Sequence, residues 1–147
     1  MKNKVKVLVI SVLCFSFLAE AQTTLITWKT LRDVRFQNKF FKDLGEYLLF
    51  PTFGESVKKL DGKSVSIRGY MIPVDVNEGL YVISALPMSS CFFCGASGPE
   101  TVVEVNFKNK KMRFKTDEIR TIKGILKLND SEIEHMNYIF NSAELVE

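Results

Sequence analysis

Apolar and polar residues alternate along several short segments of this chain, which is the pattern of β-strands that bury one face. In the clearest segment Val65, Ile67, Gly69 and Met71 alternate with serine, arginine and tyrosine. Four later segments show the same alternation or a short apolar run bounded by turn residues. The predicted strands are therefore residues 63–73, 80–86, 101–107, 120–128 and 138–146.

Turn sequences separate these strands, and glycines interrupt two of them. Asp61-Gly62 is a strong turn pair ahead of the first strand. Gly69 and Gly124 lie within strands, where glycine marks a bulge or a tight bend. Such bends allow a short sheet to close on itself. The sequence therefore predicts an all-β fold with minor helix, in the form of a small OB-like β-barrel.

Little helix is expected in this chain. Trp28 and Leu31 are three residues apart and share one face of a helical turn. We expect Trp28 to be a core residue that fixes the start of the domain. A second helical turn is predicted over residues 131–135, with Asp130 as its N-cap.

Residues 33–53 give a mixed pattern. Phe40, Leu44 and Tyr47 suit one face of a helix, whereas the residues from Val34 onward alternate as in a strand. Gly45 weakens a continuous helix here. We expect one short strand near Val34, followed by irregular or strand structure up to residue 53.

The first 21 residues contain the three parts of a secretory signal peptide. Lys2, Lys4 and Lys6 precede an apolar run over residues 7–18, and Ala19-Glu20-Ala21 fits the cleavage pattern. The run is shorter than the ~20 residues that a final membrane-spanning helix needs. We therefore predict export to the periplasm or cell envelope. The mature protein would be one domain over residues 22–147, with no transmembrane anchor.

The charge of the mature domain argues against a nucleic-acid partner. The whole chain has a formal net charge of +3. Removal of the signal leaves 17 basic and 16 acidic residues in residues 22–147. OB barrels often bind oligonucleotides through a positively charged groove, and a nearly neutral exported domain lacks that attraction.

The mature domain retains two of the three cysteines, Cys91 and Cys94, in a loop between two predicted strands. Cys14 lies in the predicted signal. A Cys-x-x-Cys pair in an oxidising compartment can form a disulfide. Because the closed loop is so short, this bond would stabilise the fold by only about 2 kcal/mol, and it would chiefly fix the shape of the loop.

A metal site is the second interpretation of the loop. Two thiolates at this spacing supply half of a tetrahedral zinc site. Cys91, Cys94, His135 and Glu100 would be the candidate ligands, because His135 is the single histidine and Glu100 is a nearby carboxylate. Copper(I) needs fewer, softer ligands, and Met88 lies three residues before Cys91. The candidate metals are zinc and copper.

Two further interpretations remain open. Thiol–disulfide exchange would require the first cysteine at the start of a helix, but Gly95, Gly98 and Pro99 disfavour a helix after the motif. The thiols could also be buried apolar residues beside Phe92 and Phe93. A haem attachment motif is excluded, because Gly95 occupies the position that would be histidine.

No set of catalytic residues can be identified elsewhere in the sequence. Glu100 and Glu104 lie four residues apart, without the third acidic partner that would support a hydrolase site. Ser89 and Ser90 lack the nucleophile-elbow pattern of serine hydrolases. We therefore favour a non-enzymatic protein, with thiol–disulfide exchange as the enzymatic alternative that stays open.

The chain also resembles a known family. From Leu60 to Pro73 it reads Leu-x-Gly-Lys-x-Val-x-Ile-x-Gly-Tyr-Met-x-Pro, and a cysteine-bearing loop follows. These features resemble an uncharacterised family of small exported bacterial proteins with an OB-like barrel. Many members have one cysteine followed by a proline-rich loop, whereas this chain has Cys-Phe-Phe-Cys-Gly. Further shared features, in chain order, are Trp28, Leu31, Pro51, Phe53, Val103, Val105, Gly124, Leu126 and Tyr138.

This resemblance implies a fold but no activity. Together with the loop, it favours an exported, non-enzymatic binding or accessory module whose Cys-x-x-Cys loop holds a disulfide or a metal ion. Such a module could serve an envelope system for metal handling or transport, with an envelope protein or transporter component as its partner. The alternative function is that of a periplasmic thiol–disulfide redox protein.

Overall fold

The computed structural model describes residues 22–42 and 44–146, so the predicted signal peptide (1–21) and Cys14 lie outside the described residues. Two short α-helices occur in this part of the chain, α1 (Trp28–Leu31) and α2 (Glu55–Lys58). The strands are β1 (Thr24–Leu25), β2 (Val34–Phe41), β3 (Glu46–Phe53), β4 (Ser64–Asp75), β5 (Leu80–Ser84), β6 (Val102–Phe107), β7 (Glu118–Leu128) and β8 (Tyr138–Leu145).

Five of these strands, β4 to β8, form a closed barrel. β5 pairs antiparallel with β4 and β6, and β7 pairs antiparallel with β8 and β4. A parallel pairing of β6 with β8 completes the ring. The order β4-β5-β6-β8-β7 is that of an OB-type barrel. The predicted fold class is confirmed, and each predicted strand matches one barrel strand to within two residues at either end.

The barrel interior is filled by the apolar residues whose alternation predicted the strands. Ile67 and Met71 of β4 are 1% and 0% exposed, and Phe140 of β8 is 0% exposed. Burial of each such side chain contributes about 1.5–3 kcal/mol. Other members of this core are Val65, Tyr81, Ile83, Val103, Val105, Ile122, Leu126 and Tyr138.

Gly69 allows Trp28 to pack against the barrel. A Cβ atom at Gly69 would lie 2.5 Å from the carbonyl oxygen of Ser84 and 2.9 Å from Cζ2 of Trp28. The indole N–H of Trp28 donates to the carbonyl oxygen of Arg68 at 2.8 Å. Trp28 is therefore a packing residue that fixes the start of the domain, as the sequence indicated.

Residues 34–53 form an antiparallel hairpin of two eight-residue strands, in register from Val34 with Phe53 to Phe41 with Glu46. The sequence left open whether the residues after a short strand near Val34 would be irregular or strand, and the structure shows two full strands that pair with each other. Gly45, at φ +68°, lies in the turn where the chain reverses direction between β2 and β3. The mixed sequence pattern did not indicate this turn. Pro51 is accommodated within β3 because both strands of a two-stranded ribbon are edge strands.

The predicted helical turn at residues 131–135 is wrong, since the segment before β8 contains only turns and bends. The side chain of Asn129, and not that of Asp130, forms the hydrogen bonds that hold this segment in place. The Asn129 Oδ1 accepts the backbone N–H groups of Ser131 and Glu132, at 3.2 and 2.9 Å. Its Nδ2 donates to the carbonyl oxygens of Glu132, His135 and Met136. These bonds satisfy backbone groups that a helix would otherwise pair.

Candidate functional site

The candidate site lies at the end of the barrel where β6 and β8 begin. The cysteine loop (residues 85–101) leads into β6, and the loop of residues 129–137 leads into β8. Because β6 and β8 are parallel neighbours, with Glu104 opposite Ile139, the two loops lie side by side. Three short 3₁₀ turns shape the cysteine loop, namely Met88–Ser90, Phe92–Cys94 and Pro99–Thr101.

Cys91 is the buried member of the cysteine pair. It has extended backbone between the first two 3₁₀ turns and is 0% exposed. Its side chain belongs to a small apolar cluster outside the barrel core, with Ile72, Val82 and Val102, and Phe92 and Met136 pack against this cluster. Cys91 therefore anchors the loop to the outer face of β4, β5 and β6.

Cys94 is the exposed member, and it ends the second 3₁₀ turn. Gly95 follows in the left-handed conformation, at φ +72°, so the chain turns away directly after the motif. The thiol of Cys94 donates to the carbonyl oxygen of Met88 at 2.9 Å. Both cysteines are free thiols.

Both thiols approach Met88. The Sγ of Cys91 lies 4.0 Å from the Sδ of Met88, and the backbone N–H of Cys91 donates to the Met88 carbonyl oxygen at 3.4 Å. The Cys94 thiol donates to that same oxygen. One buried thiol, one exposed thiol and one thioether therefore surround a single turn of the chain.

Met88 is itself held in place by Asp117, a residue that the sequence did not indicate. The backbone N–H of Met88 donates to Oδ1 of Asp117 at 2.7 Å. Asp117 has φ +62°, and its own N–H donates to the carbonyl oxygen of Met71 at 2.9 Å. Aspartate is one of the few residue types that adopt this conformation readily, so the turn before β7 fixes the position of the cysteine loop.

A second polar pair lies beside the loop. Nδ1 of His135 is 3.0 and 3.1 Å from the two carboxylate oxygens of Glu104. Glu104 also accepts the backbone N–H of Met136 at 3.2 Å and the amide of Asn106 at 3.2 Å. Its side chain is 6% exposed, whereas that of His135 is 46% exposed. The buried carboxylate on β6 therefore ties down the loop of residues 129–137.

The four side chains predicted as zinc ligands are not assembled into one set. His135 is paired with Glu104. Glu100 lies in the turn Pro99–Thr101, and its negative charge helps burial to raise the pKa of Tyr138 above its ordinary value. In the described part of the chain, no three His, Cys, Asp or Glu side chains lie close enough together to hold an ion.

An apolar groove of about 310 Å³ opens next to the cysteine loop. The β2–β3 hairpin contributes Phe41 and Phe50, the cysteine loop contributes Phe92, and the loop of residues 129–137 contributes Ile133 and Met136. The two phenylalanines of the motif thus differ: Phe92 lines the groove, and Phe93 is 42% exposed.

Fold and site together define a small OB-type barrel with a cysteine loop at one end. No family model matches the sequence, and no curated protein is significantly similar to it. The fold is similar to the crystal structure of a DUF3299 family protein from Pseudomonas aeruginosa PAO1, with a TM-score of 0.53 and 14% identity. The match covers 86% of this chain and 97% of that protein.

At this identity the likeness shows the fold, and it agrees with the expected resemblance to an uncharacterised barrel family. That the motif of residues 60–73 is a feature of such a family stays a prediction. None of the helices in the described ranges has the length and apolar character required to span a bilayer.

Proposed function

We propose that the protein is an exported, non-enzymatic binding or accessory module whose cysteine loop is the functional surface. The Cys91 and Cys94 thiols would either hold a metal ion or close as a disulfide. The observation that carries this proposal is the approach of both thiols to Met88, through a 4.0 Å sulfur–sulfur contact and a 2.9 Å thiol–carbonyl hydrogen bond. A pair that served only as apolar packing would have both thiols buried, and Cys94 is exposed.

The surroundings of the motif favour binding over catalysis of thiol–disulfide exchange. Exchange enzymes activate the first cysteine at the start of an α-helix. Here Cys91 precedes a single 3₁₀ turn that Gly95 ends. The first cysteine is also the buried one, so an incoming disulfide would meet Cys94 first.

The proposed partner is an envelope protein or a component of a transporter. Cys94 and Phe93 are exposed on the loop, and the apolar groove opens beside them. A partner seated on this end of the barrel would reach the exposed Cys94 thiol and the groove that Phe92 lines. It could then exchange a metal ion, or a disulfide, with the loop.

Intact-mass spectrometry of protein recovered from the periplasm tests this proposal. The protein would be alkylated with and without prior reduction, and its metal content measured by elemental analysis, with Cys91→Ser and Cys94→Ser as controls. A disulfide lowers the mass by about 2 Da as two thiols lose two protons and two electrons to an envelope disulfide oxidant. A disulfide, or one metal ion that both serine variants lose, supports the proposal.

Two reduced, metal-free thiols that also fail to retain added zinc or copper would overturn it. Turnover in an insulin-reduction assay would instead establish the alternative, a periplasmic thiol–disulfide redox protein. In such an assay a binding module shows no catalytic rate above that of the reductant alone.

A further inference from the structure

The separation of two sulfur atoms in the cysteine loop matches a shared metal ion. The Cys91 Sγ and Met88 Sδ atoms are 4.0 Å apart. With metal–sulfur bonds of about 2.3 Å, two sulfurs at this separation subtend an angle of about 120° at the ion. This angle suits trigonal coordination.

The third corner of such a trigonal site is available from Cys94. Its Sγ already lies 2.9 Å from the carbonyl oxygen of Met88. Cys94 is exposed and ends a short 3₁₀ turn, and its turn toward the ion would require only that its thiol release the Met88 carbonyl oxygen. Met88 is 37% exposed, whereas Cys91 is fully buried.

The chemistry of these donors distinguishes copper(I) from zinc. Thiolates and thioethers are soft ligands that select copper(I), whereas structural zinc sites use four donors from Cys, His and carboxylates. No third Cys, His, Asp or Glu joins the two cysteines in residues 22–42 and 44–146. The third candidate ligand is the thioether of Met88, whereas a zinc site would require a nitrogen, an oxygen or another thiolate at that position.

We infer that the cysteine loop binds one copper(I) ion through the sulfur atoms of Met88, Cys91 and Cys94. This inference rests on the proposed function and specifies its ligand. On binding, the two thiols release two protons, copper stays in the +1 state, and no electron is transferred. Cys91 would be the buried anchor. Cys94 and Met88 face solvent, where an incoming sulfur ligand of a partner could replace them one at a time.

The test is an anaerobic copper(I) titration of the reduced protein against a chromophoric copper(I) chelator, with zinc titrated in parallel. Four proteins are compared: wild type, Met88→Leu, Cys91→Ser and Met112→Leu. Met112→Leu is the matched control, because Met112 packs against the barrel core, away from the cysteine cluster. Copper K-edge X-ray absorption counts the sulfur ligands in each complex.

We expect one copper(I) per wild-type chain with three sulfur ligands. Met88→Leu should weaken binding at least about tenfold and leave two sulfur ligands. Met112→Leu should match wild type, and Cys91→Ser should abolish stoichiometric binding. Unchanged affinity and sulfur count in Met88→Leu would overturn the inference.

The two proposals fail in different ways. Zinc binding that depends on Cys91, without competitive copper(I) binding, would overturn the copper inference and leave the proposed function standing. Absence of both metals and of a disulfide would remove both proposals.

Discussion

Asp117 holds Met88 across 29 residues of sequence, through a 2.7 Å hydrogen bond from the Met88 backbone N–H to the aspartate carboxylate. This bond joins the turn before β7 to the loop that carries both thiols. Because both cysteines contact Met88, the position of the pair depends on Asp117.

Two substitutions of Asp117 distinguish the contribution of this hydrogen bond to stability from the contribution of backbone strain. Gly tolerates the φ of +62° but removes the carboxylate, so Asp117→Gly should lower the free energy of unfolding by about 1–2 kcal/mol. Asp117→Asn retains an acceptor oxygen and should remain near wild type. Chemical denaturation measures stability, and alkylation kinetics measure exposure of Cys91, which we expect to react several-fold faster in Asp117→Gly. Equal alkylation rates in all three proteins would show that Asp117 does not position the loop.

Glu104 is expected to matter more for stability than its partner His135. Glu104→Ala removes the acceptor for His135 and for the Met136 N–H, and should cost about 2–3 kcal/mol. His135→Ala leaves the Met136 and Asn106 contacts in place, and should cost about 1 kcal/mol. Hydrogen exchange should show faster opening of residues 129–137 in Glu104→Ala.

Glu144→Ala is the control for this pair. Glu144 lies on β8 and pairs with Lys108 and Lys123 on the surface, where ion pairs contribute little to stability. A cost for Glu104→Ala no larger than that for Glu144→Ala would contradict the role given to the buried carboxylate.

Tyr138 should make the protein sensitive to alkaline pH. Its hydroxyl donates to the Leu31 carbonyl oxygen at 2.6 Å, and burial, aided by Glu100, raises its pKa above the ordinary value. The folded state then retains a proton that the unfolded state loses above pH ~10. This contribution to stability is fully present below pH ~10 and is lost as pH rises from there toward the folded pKa, by up to about 1.4 kcal/mol per pH unit.

Denaturation of wild type, Tyr138→Phe and Tyr47→Phe between pH 8 and pH 11 measures this effect. Tyr138→Phe should be less stable at pH 8, because the Leu31 carbonyl loses its donor, and should show a smaller decline above pH ~10. Tyr47 is 69% exposed, so Tyr47→Phe should follow wild type. Parallel curves for all three proteins would show that Tyr138 titrates as an exposed tyrosine.

The barrel could be predicted from the sequence because strand alternation is a local signal. β4 repeats its pattern within twelve residues. The full hairpin of residues 34–53 could not be predicted, because Pro51 and Gly45 interrupt its pattern and, in the part of the chain that the structure describes, its strands form a separate two-stranded sheet. Pairing of this kind depends on the turn, and the left-handed Gly45 is visible only in the structure.

The candidate site, too, could be predicted only in part from the sequence. Cys91, Cys94 and Met88 lie within seven residues, so their proximity was visible in the sequence. The pairing of Glu104 with His135 spans 31 residues and depends on parallel β6 and β8. One signal could have identified Glu104, since a glutamate at the centre of the apolar strand Val102–Phe107 requires a partner. Asp117 offered no comparable signal.

Asn129 provides the last prediction, because its side chain bonds to both N–H and carbonyl groups of the segment expected to be helical, residues 131–135. It is 3% exposed, and its oxygen and nitrogen serve opposite groups of the loop backbone. Asn129→Asp keeps the acceptor for the Ser131 and Glu132 N–H groups but loses the donor to three carbonyl oxygens. Asn129→Ala loses both.

We therefore expect both variants to lose about 2–3 kcal/mol of unfolding free energy, because Asn129→Ala leaves the loop backbone unpaired and Asn129→Asp turns a carboxylate oxygen toward three carbonyl oxygens. Asp130→Ala is the matched control and should cost less than either variant, whereas an N-cap role for Asp130 would reverse this order. Denaturation gives the free energies, and hydrogen exchange over residues 129–137 localises the loss. Since this loop also lines the apolar groove, binding of a hydrophobic dye there should weaken in the same order. A larger effect of Asp130→Ala than of Asn129→Ala would restore the helical turn that the sequence predicted.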